Sequence, residues 1–422
     1  MARVPIKKQF TRREFVSTAS IALITLGGVI ESLSGFTIAG WGCLLTGFVI
    51  LFFVEKAKIW RSPILFPVLL LGILSILSYL ITPSTEITIA HLSRLWAGMF
   101  ICLVYSSWAT SKNREILLIL GLVATGFLLS FSLPFIVDWT VAKSNMIPES
   151  ITHILSTLTV TTNTVHPNIL ASSIILFMPI PLACILITVH HSKYKKNPVF
   201  WLALAIAGVM ALALVLSKSR AGLLAAGVSF IFLLWFCHYK SIAKVAAICT
   251  TIAIGALVFI SLQNIDQTPS NVLSADTFAF RIKVWEIAVM MLQDFPFTGV
   301  GIGMFNETAA NLYPAFSGMT TNPGAHNLFL QIGADLGLIG VIAMTAVYII
   351  TLFMGKQSIR HFARQQDTIS WAMSAGLTTG IIAILLHGIT DINVWGTRGT
   401  FAPWMVMGLL SAIYISTRLP QE

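Results

Sequence analysis

Residues 263–277 read QNIDQTPSNVLSADT, residues 296–303 read PFTGVGIG, and residues 322–327 read NPGAHN. With the sequence between them, they form the one long stretch of this chain that is too polar to lie in a membrane. Long loops inside compact proteins are usually functional. We therefore interpret residues 263–324 as a loop that covers a site, with His326 just after its end.

The rest of the chain is dominated by apolar residues. Of its 422 residues, 56% are hydrophobic and 10% are charged, whereas soluble domains carry about 25% charged residues. This composition is typical of an all-α polytopic membrane protein, here with a single integral membrane domain, residues 1–422. The net charge is +10, but the basic residues are unevenly spread, so nucleic acid is not an expected partner.

Cysteines give no sign of a disulfide framework or a metal site. All five lie in apolar segments, and none lies in the long loop. The His, Asp and Glu residues show no metal-ligand spacing either. The sequence therefore predicts neither a metal ion nor another cofactor.

Twelve apolar segments are identified by a window of about 19 residues. They are residues 16–34, 36–54, 63–82, 87–109, 116–137, 167–190, 198–216, 220–238, 243–262, 325–354, 369–389 and 400–416. Each is close to the roughly 20 residues needed to cross a bilayer. The tenth is longer, so we expect it to tilt or to project from the membrane.

Lys and Arg residues set the expected orientation. With an even number of spans both termini share a side, and 19 of the 26 Lys and Arg residues fall in segments on that side. The positive-inside rule then places both termini in the cytoplasm. Six cations fall on the opposite side: Lys143, Lys218, Arg220, Arg281, Lys283 and Arg398. Because they oppose the rule, we expect a function to hold some of them there.

A helical pattern lies within the long loop. Its apolar positions are Phe278, Ile282, Trp285, Val289 and Leu292. We predict an amphipathic helix at the membrane interface. Arg281 and Lys283 on this helix would meet the head group of a lipid-linked anion; the alternative is a basic rim without a ligand.

Arg220 begins the eighth predicted span, just after Lys218, in the segment SKSRAG of residues 217–222. A guanidinium beside the free N–H groups of a helix N-terminus suits a phosphate or diphosphate. Arg is unfavourable for the helix dipole at this position unless an anion is present. The alternative is a residue that only anchors the helix at the membrane surface.

His326 is the strongest catalytic candidate. Asn322 is expected to cap the tenth span, with Pro323 at its first position, which puts His326 in or near the first turn. The positive helix end favours a neutral imidazole, and a neutral His suits a general base. Asn327 would add a hydrogen bond. The alternative is a polar residue at a membrane interface.

Several other polar residues near the same side are weaker candidates. They are His91, Arg94, His166, Asn168, Asp335, His387 and Asp391. Ionisable groups inside a membrane are functional candidates by default, although each alone is more often structural. The segment Pro296–Gly303 echoes a nucleotide-binding glycine loop, but no strand precedes it, so we interpret it as a tight turn.

Four motifs stand in a characteristic order within residues 160–390. They are Ser217 to Gly222, Arg281 with Trp285, Pro296 to Gly303, and Ala325-His326-Asn327. This pattern resembles the signature of the O-antigen ligase/polymerase superfamily. The resemblance implies a metal-independent GT-C-type glycosyltransferase of twelve helices in the bacterial inner membrane, with a periplasmic active site.

The resemblance also implies substrates and residue roles. The enzyme would be an O-antigen ligase that moves a glycan from undecaprenyl diphosphate to the lipid A–core, surrounded by membrane lipids. Arg220 and Arg281, aided by Lys218 and Lys283, would hold the diphosphate, and His326 would be the catalytic residue. The supporting or acceptor-side residues would be Asn327, Trp285, His166, Arg94 and His91. The oligomeric state is not indicated.

Two further functions remain open at this point. O-antigen polymerases of the same superfamily often carry Arg-x10-Gly motifs, but the residues eleven positions after Arg220 and Arg281 are Ile231 and Leu292. This difference favours a ligase. A twelve-span lipid or anion transporter fits the hydropathy equally well, but transporters commonly show repeated halves, which this sequence lacks.

Overall fold

The computed structural model describes residues 11–34, 37–55, 61–137, 139, 149–159, 165–190, 197–263, 278–313, 324–392 and 394–418. These ranges are almost entirely helical, and their one β pairing is an isolated bridge between Val137 and Val165. The helices are α1 (Arg12–Ser34), α2 (Ile38–Glu55), α3 (Leu65–Ile81), α4 (Thr85–Trp108), α5 (Lys112–Ile136), α6 (Glu149–Leu158), α7 (Pro167–Phe177), α8 (Pro179–His190), α9 (Pro198–Leu216), α10 (Arg220–Phe236), α11 (Lys240–Gln263), α12 (Phe278–Asp294), α13 (Phe305–Leu312), α14 (Leu328–Gln365), α15 (Thr368–Gly388) and α16 (Phe401–Ser416).

Eight segments of the described chain are long and apolar enough to cross a membrane. They are α1, α2, α4, α5, the pair α7–α8, α9, α14 and α15. Three shorter helices, α3, α10 and α16, are also apolar. Every predicted apolar segment coincides with one of these helices or with α11, so the protein is a multi-pass helical membrane protein. The number of twelve crossings stays a prediction.

Helix α15 lies at the centre of the bundle. It packs against α7, α8, α10, α14 and α16, and most of its residues are buried. Small side chains such as Ser374, Gly376 and Thr379 allow neighbouring helices in a membrane to approach closely. The C-terminal end of α15 therefore lies among the ends of the helices that pack around it.

Helix α14 is longer than the sequence predicted. The predicted segment ended at residue 354, but the helix continues to Gln365. The helix is interrupted at Gly337, and residues 338–365 alone correspond to about 42 Å at 1.5 Å per residue, above the roughly 30 Å of a hydrocarbon core. It extends beyond the predicted apolar segment because hydropathy falls after Met354, whereas the polar residues that follow still favour helix.

The helix termini sort to two ends of the bundle. Helices α7, α10 and α14 begin, and α15 ends, at what we call the site end. The opposite end carries the start of α5 and the start of α15, which are joined by an ion pair between Lys112 Nζ and Asp367 Oδ2 at 2.6 Å. Five predicted site residues, Lys218, Arg220, Arg281, His326 and His166, all lie on the site-end termini of their segments.

Candidate functional site

His326 precedes α14 rather than lying in its first turn. The N-cap is Asn327, whose Oδ1 accepts hydrogen bonds from the backbone N–H groups of Phe329 (3.0 Å) and Leu330 (3.1 Å). The predicted cap, Asn322, and Pro323 lie outside the described residues. His326 has a left-handed backbone with φ 48°, and its ring meets the ring of Phe280 edge-on at 6.3 Å. The imidazole is thus held between α14 and α12.

The side chain of Asn327 is occupied by structural contacts. Besides capping α14, its Nδ2 donates to the carbonyl oxygen of Ile389 at 3.0 Å. This bond ties the start of α14 to the end of α15. Asn327 therefore supports the site by positioning the residue before it.

A chain of buried side chains holds the backbone next to His326. The backbone N–H of Ala325 donates to Oε1 of Gln331 at 2.7 Å, and Nε2 of Gln331 donates to Oδ1 of Asp335 at 2.9 Å. The indole of Trp395 donates to Oδ2 of Asp335 at 2.8 Å. Both oxygens of the carboxylate are satisfied, so a buried acid is stable there. Sequence reasoning singled out Asp335 but missed Gln331 and Trp395, which carry no charge.

The glycine segment Pro296–Gly303 docks onto a break in α14. Gly337 has φ 71° and ψ −173°, a backbone region open essentially to glycine alone. The loop supplies the missing partners: Leu338 N–H donates to Pro296 O at 2.7 Å, and Val300 N–H donates to Ala334 O at 2.7 Å. The glycine motif thus completes the hydrogen bonding of a broken helix, in agreement with the interpretation as a tight turn.

The end of α15 carries a second polar cluster. Asn168 Nδ2 donates to Oδ2 of Asp391 at 2.9 Å. The hydroxyl of Ser172 donates to Asn168 O at 2.8 Å, so it accepts from Nδ1 of His387, 3.2 Å away. His387 Nε2 is buried and has no hydrogen-bond partner among the described residues. The sequence marked Asn168, His387 and Asp391 as weak candidates, and it gave no signal for Ser172.

Arg281 lies beside this cluster. It lies close enough to His387 for its charge to act on the imidazole. Its Nε is buried without a hydrogen-bond partner in the described part of the chain. A guanidinium donor with no acceptor is costly unless a ligand supplies one, so Arg281 is available for an anion.

Helix α12 packs one face against α14, and the predicted apolar positions are only partly on that face. Phe280, Val284, Ile287 and Met291 are buried against α14, whereas Ile282, Lys283 and Val289 are exposed. Of the predicted apolar set, Ile282 and Val289 face outward, whereas Leu292 is partly buried beside Gly333 of α14. Trp285 is half-buried and lines an open apolar groove of about 540 Å³ together with Ile282, Glu286, Val289 and Met290.

Arg220 is exposed at the first position of α10. Ser219 caps this helix by accepting from Gly222 N–H at 3.2 Å, and Gly222 packs against Ala171 of α7. The start of α10 thus lies one turn from the Asn168–Ser172 cluster. Lys218, half-buried with φ 55°, forms the preceding turn.

His166, His91 and Arg94 have local roles. Nδ1 of His166 accepts from Asn168 N–H at 3.3 Å and caps α7. The ring of His91 packs against Gly303 and Gly396, and Arg94 donates to Gly396 O at 3.1 Å. His91 and Arg94 therefore fix the loop before α16 rather than facing His326.

One titratable group outside the spans supports the fold of the loop. The hydroxyl of Tyr313 donates to Oδ2 of Asp294 at 2.6 Å. Burial and the neighbouring carboxylate raise the pKa of Tyr313, so the phenol stays a donor. In the part of the chain that is described, no three His, Cys, Asp or Glu side chains lie close enough to hold a metal ion.

The fold and the site define a multi-pass helical membrane protein with a cation-rich polar cluster at one end of its bundle. Residues 205–345, about a third of the chain, match the sequence model of a family described as O-Antigen ligase. The match confirms the resemblance, and it includes Arg220, Arg281, the glycine segment and His326. No curated protein matches the chain.

Proposed function

We propose that this protein is an O-antigen ligase. It transfers a glycan from undecaprenyl diphosphate to the lipid A–core, on the periplasmic side of a bacterial inner membrane. The site end then faces the periplasm, and both termini lie in the cytoplasm. The observation that carries the proposal is the content of the matched segment. This segment contains Arg281, whose buried Nε has no acceptor among the described residues, and also His326 on the adjacent helix end.

Arg281 and Arg220 bind the donor diphosphate in this proposal. Arg281 is placed by α12 beside His387, and Arg220 projects from the N-terminus of α10, where free backbone N–H groups also favour an anion. The diphosphate bridges the two guanidinium groups in this proposal. As the bond to the sugar breaks, both cations stabilise the charge that develops on the leaving diphosphate.

His326 acts on the acceptor. Its imidazole takes the proton from the acceptor hydroxyl as the hydroxyl oxygen attacks the anomeric carbon. The bond between that carbon and the diphosphate oxygen breaks, and its electron pair leaves with undecaprenyl diphosphate. Attack opposite the leaving group inverts the anomeric centre. Gln331 and Asn327 hold the backbone on either side of the histidine during this step.

A reconstituted assay separates the candidate functions. Purified protein is supplied with undecaprenyl-diphosphate-linked glycan, with and without lipid A–core. A ligase forms one glycan–lipid A–core product and only when the acceptor is present. Longer lipid-linked chains without acceptor would identify a polymerase, and movement of donor across vesicles without a new glycosidic bond would identify a transporter.

A further inference from the structure

A polar hollow lies at the end of the bundle opposite the candidate site. It has a volume of about 280 Å³ and lies between the C-terminal parts of α14 and α16. Four basic side chains line it: Arg360, His361, Arg364 and Arg418. Amide and hydroxyl groups of Gln357, Gln365 and Thr417 complete the lining by described residues. No acidic side chain among the described residues contributes to it.

Two acids of this end are paired with cations outside the hollow. Asp367 binds Lys112 at 2.6 Å, and Glu55 binds Arg114 at 2.7 Å. Neither pair includes a guanidinium group of the hollow, and within the described ranges Arg360, Arg364 and Arg418 form no ion pair with a carboxylate. Arg360 and Arg364 are also four residues apart on one helix, an arrangement that repels without a counter-ion.

The helix dipole does not explain the arrangement by itself. Basic residues in the last turn of α14 are favourable there, and a basic loop satisfies topology. Neither effect requires guanidinium groups from two helices to converge on one hollow. The guanidinium of Arg418 lies over the ring of Tyr414, 5.2 Å from the ring centre.

We propose that this hollow binds a phosphate group, that of an anionic phospholipid headgroup at the membrane surface. Arg forks match phosphate oxygens with paired hydrogen bonds. The hollow begins where the apolar parts of α14 and α16 end, at the level of lipid headgroups, and basic pockets between membrane helices bind such headgroups. Its volume is below the roughly 300–1,000 Å³ of sites for drug-sized ligands, which suits a headgroup.

The test compares two double variants of the full-length protein in detergent. Arg360→Gln with Arg364→Gln alters the hollow, whereas Arg12→Gln with Arg13→Gln removes two exposed cations from the same end. Native mass spectrometry measures binding of short-chain phosphatidylglycerol, phosphatidylcholine and inorganic phosphate. We expect the first variant to bind phosphatidylglycerol about tenfold or more weakly, because charged hydrogen bonds are lost, and the control to bind as the unaltered protein does.

Comparing the binding of phosphatidylglycerol with that of inorganic phosphate shows whether the hollow recognises a lipid headgroup or free phosphate. Stronger binding of phosphatidylglycerol than of inorganic phosphate, lost in the first variant, supports a lipid headgroup. Equal binding of both ligands, also lost in that variant, supports the phosphate site but overturns the lipid assignment. Unchanged phosphatidylglycerol binding by a variant that elutes as a single species in size-exclusion chromatography overturns the proposal.

Discussion

The two ends of the helical bundle satisfy their acids in different ways. At the opposite end, Asp367 and Glu55 are paired with Lys112 and Arg114. At the site end, buried Asp335 accepts from Gln331 and Trp395, and buried Asp391 accepts from Asn168. Neutral donors satisfy these carboxylates without consuming a cation. None of these bonds uses Arg281, which in our proposal binds the anionic substrate.

Both ends of the bundle carry an excess of positive charge, but for different reasons. At the opposite end it arises because basic residues outnumber the acids that neutralise them. At the site end it arises because amides and an indole take the place of cations around the acids. Variants of the site end should therefore change the rate of glycan transfer. Variants of the opposite end should change stability or lipid binding.

The largest expected difference concerns His326. His326→Ala removes the proposed base, which typically costs about 10²–10⁴-fold in rate. The matched control is His153→Ala, which removes an exposed histidine of α6 and should transfer at the unaltered rate. Initial rates of glycan transfer in the reconstituted assay give the comparison. Transfer by His326→Ala within a few-fold of the control would remove the catalytic assignment.

Arg281 should show the next largest effect. Arg281→Gln loses charged hydrogen bonds to the diphosphate, each worth about 1.5–3 kcal/mol, or roughly 10–150-fold. Lys283→Gln, two residues along the same helix, should cost much less because Lys283 is exposed on the outward face. Arg13→Gln tests the opposite end and should leave transfer unchanged. Equal losses at residues 281 and 283 would contradict the orientation of α12 relative to the substrate.

The substitution Gly337→Ala tests whether the break between the two halves of α14 is required. An alanine Cβ there would lie 2.6 Å from the carbonyl oxygen of Pro296, and the backbone strain alone costs about 1–3 kcal/mol. Gly337→Ala should therefore lower the thermal unfolding temperature and also reduce transfer. Gly227→Ala is the control, since its Cβ meets no atom within 4 Å and alanine favours a helix. A Gly337→Ala protein as stable as this control would show that the break is not required.

The smallest effect is expected at the opposite end. Burial raises the pKa of Asp367, but hydrogen bonds from Lys112 and Ser370 outweigh it and leave the pKa below its usual value. A lowered pKa in the folded state contributes stability above the unfolded value of about 3.9, and this is lost as pH falls below it. Because the pair is partly exposed, the contribution is at most about 1 kcal/mol.

The substitution Asp367→Asn removes the negative charge of this side chain. Asn keeps the cap of α15, which Asp367 provides by accepting from Ser370 N–H at 3.3 Å. Thermal unfolding between pH 6 and pH 3 should show a slightly smaller loss of stability in the variant, with transfer unaffected. An identical pH dependence of the two proteins would mean that the ion pair adds no stability.

Much of the fold was predictable, because apolar segments of about 20 residues have few alternatives to helix in a membrane. The site was predictable where it uses charge: Arg281 and His326 lie at the same end of the bundle, as expected. Gln331, Trp395 and Ser172 were missed because neutral polar residues give no topological signal. The residues of α12 that α14 covers were not predicted, because the helical pattern shows an apolar face but not which neighbouring helix packs against it.

The hydrogen bond from Trp395 to Asp335 has a consequence for biosynthesis. A ribosome adds Trp395 long after it has made Arg220, Arg281 and His326, so the indole reaches Asp335 only when nearly the whole polypeptide has been inserted. A nascent chain halted at residue 390 would carry all three proposed active residues and lack the last brace behind them. Maturation of the active centre therefore depends on the final part of translation, and C-terminal truncations should abolish activity even where the earlier helices assemble.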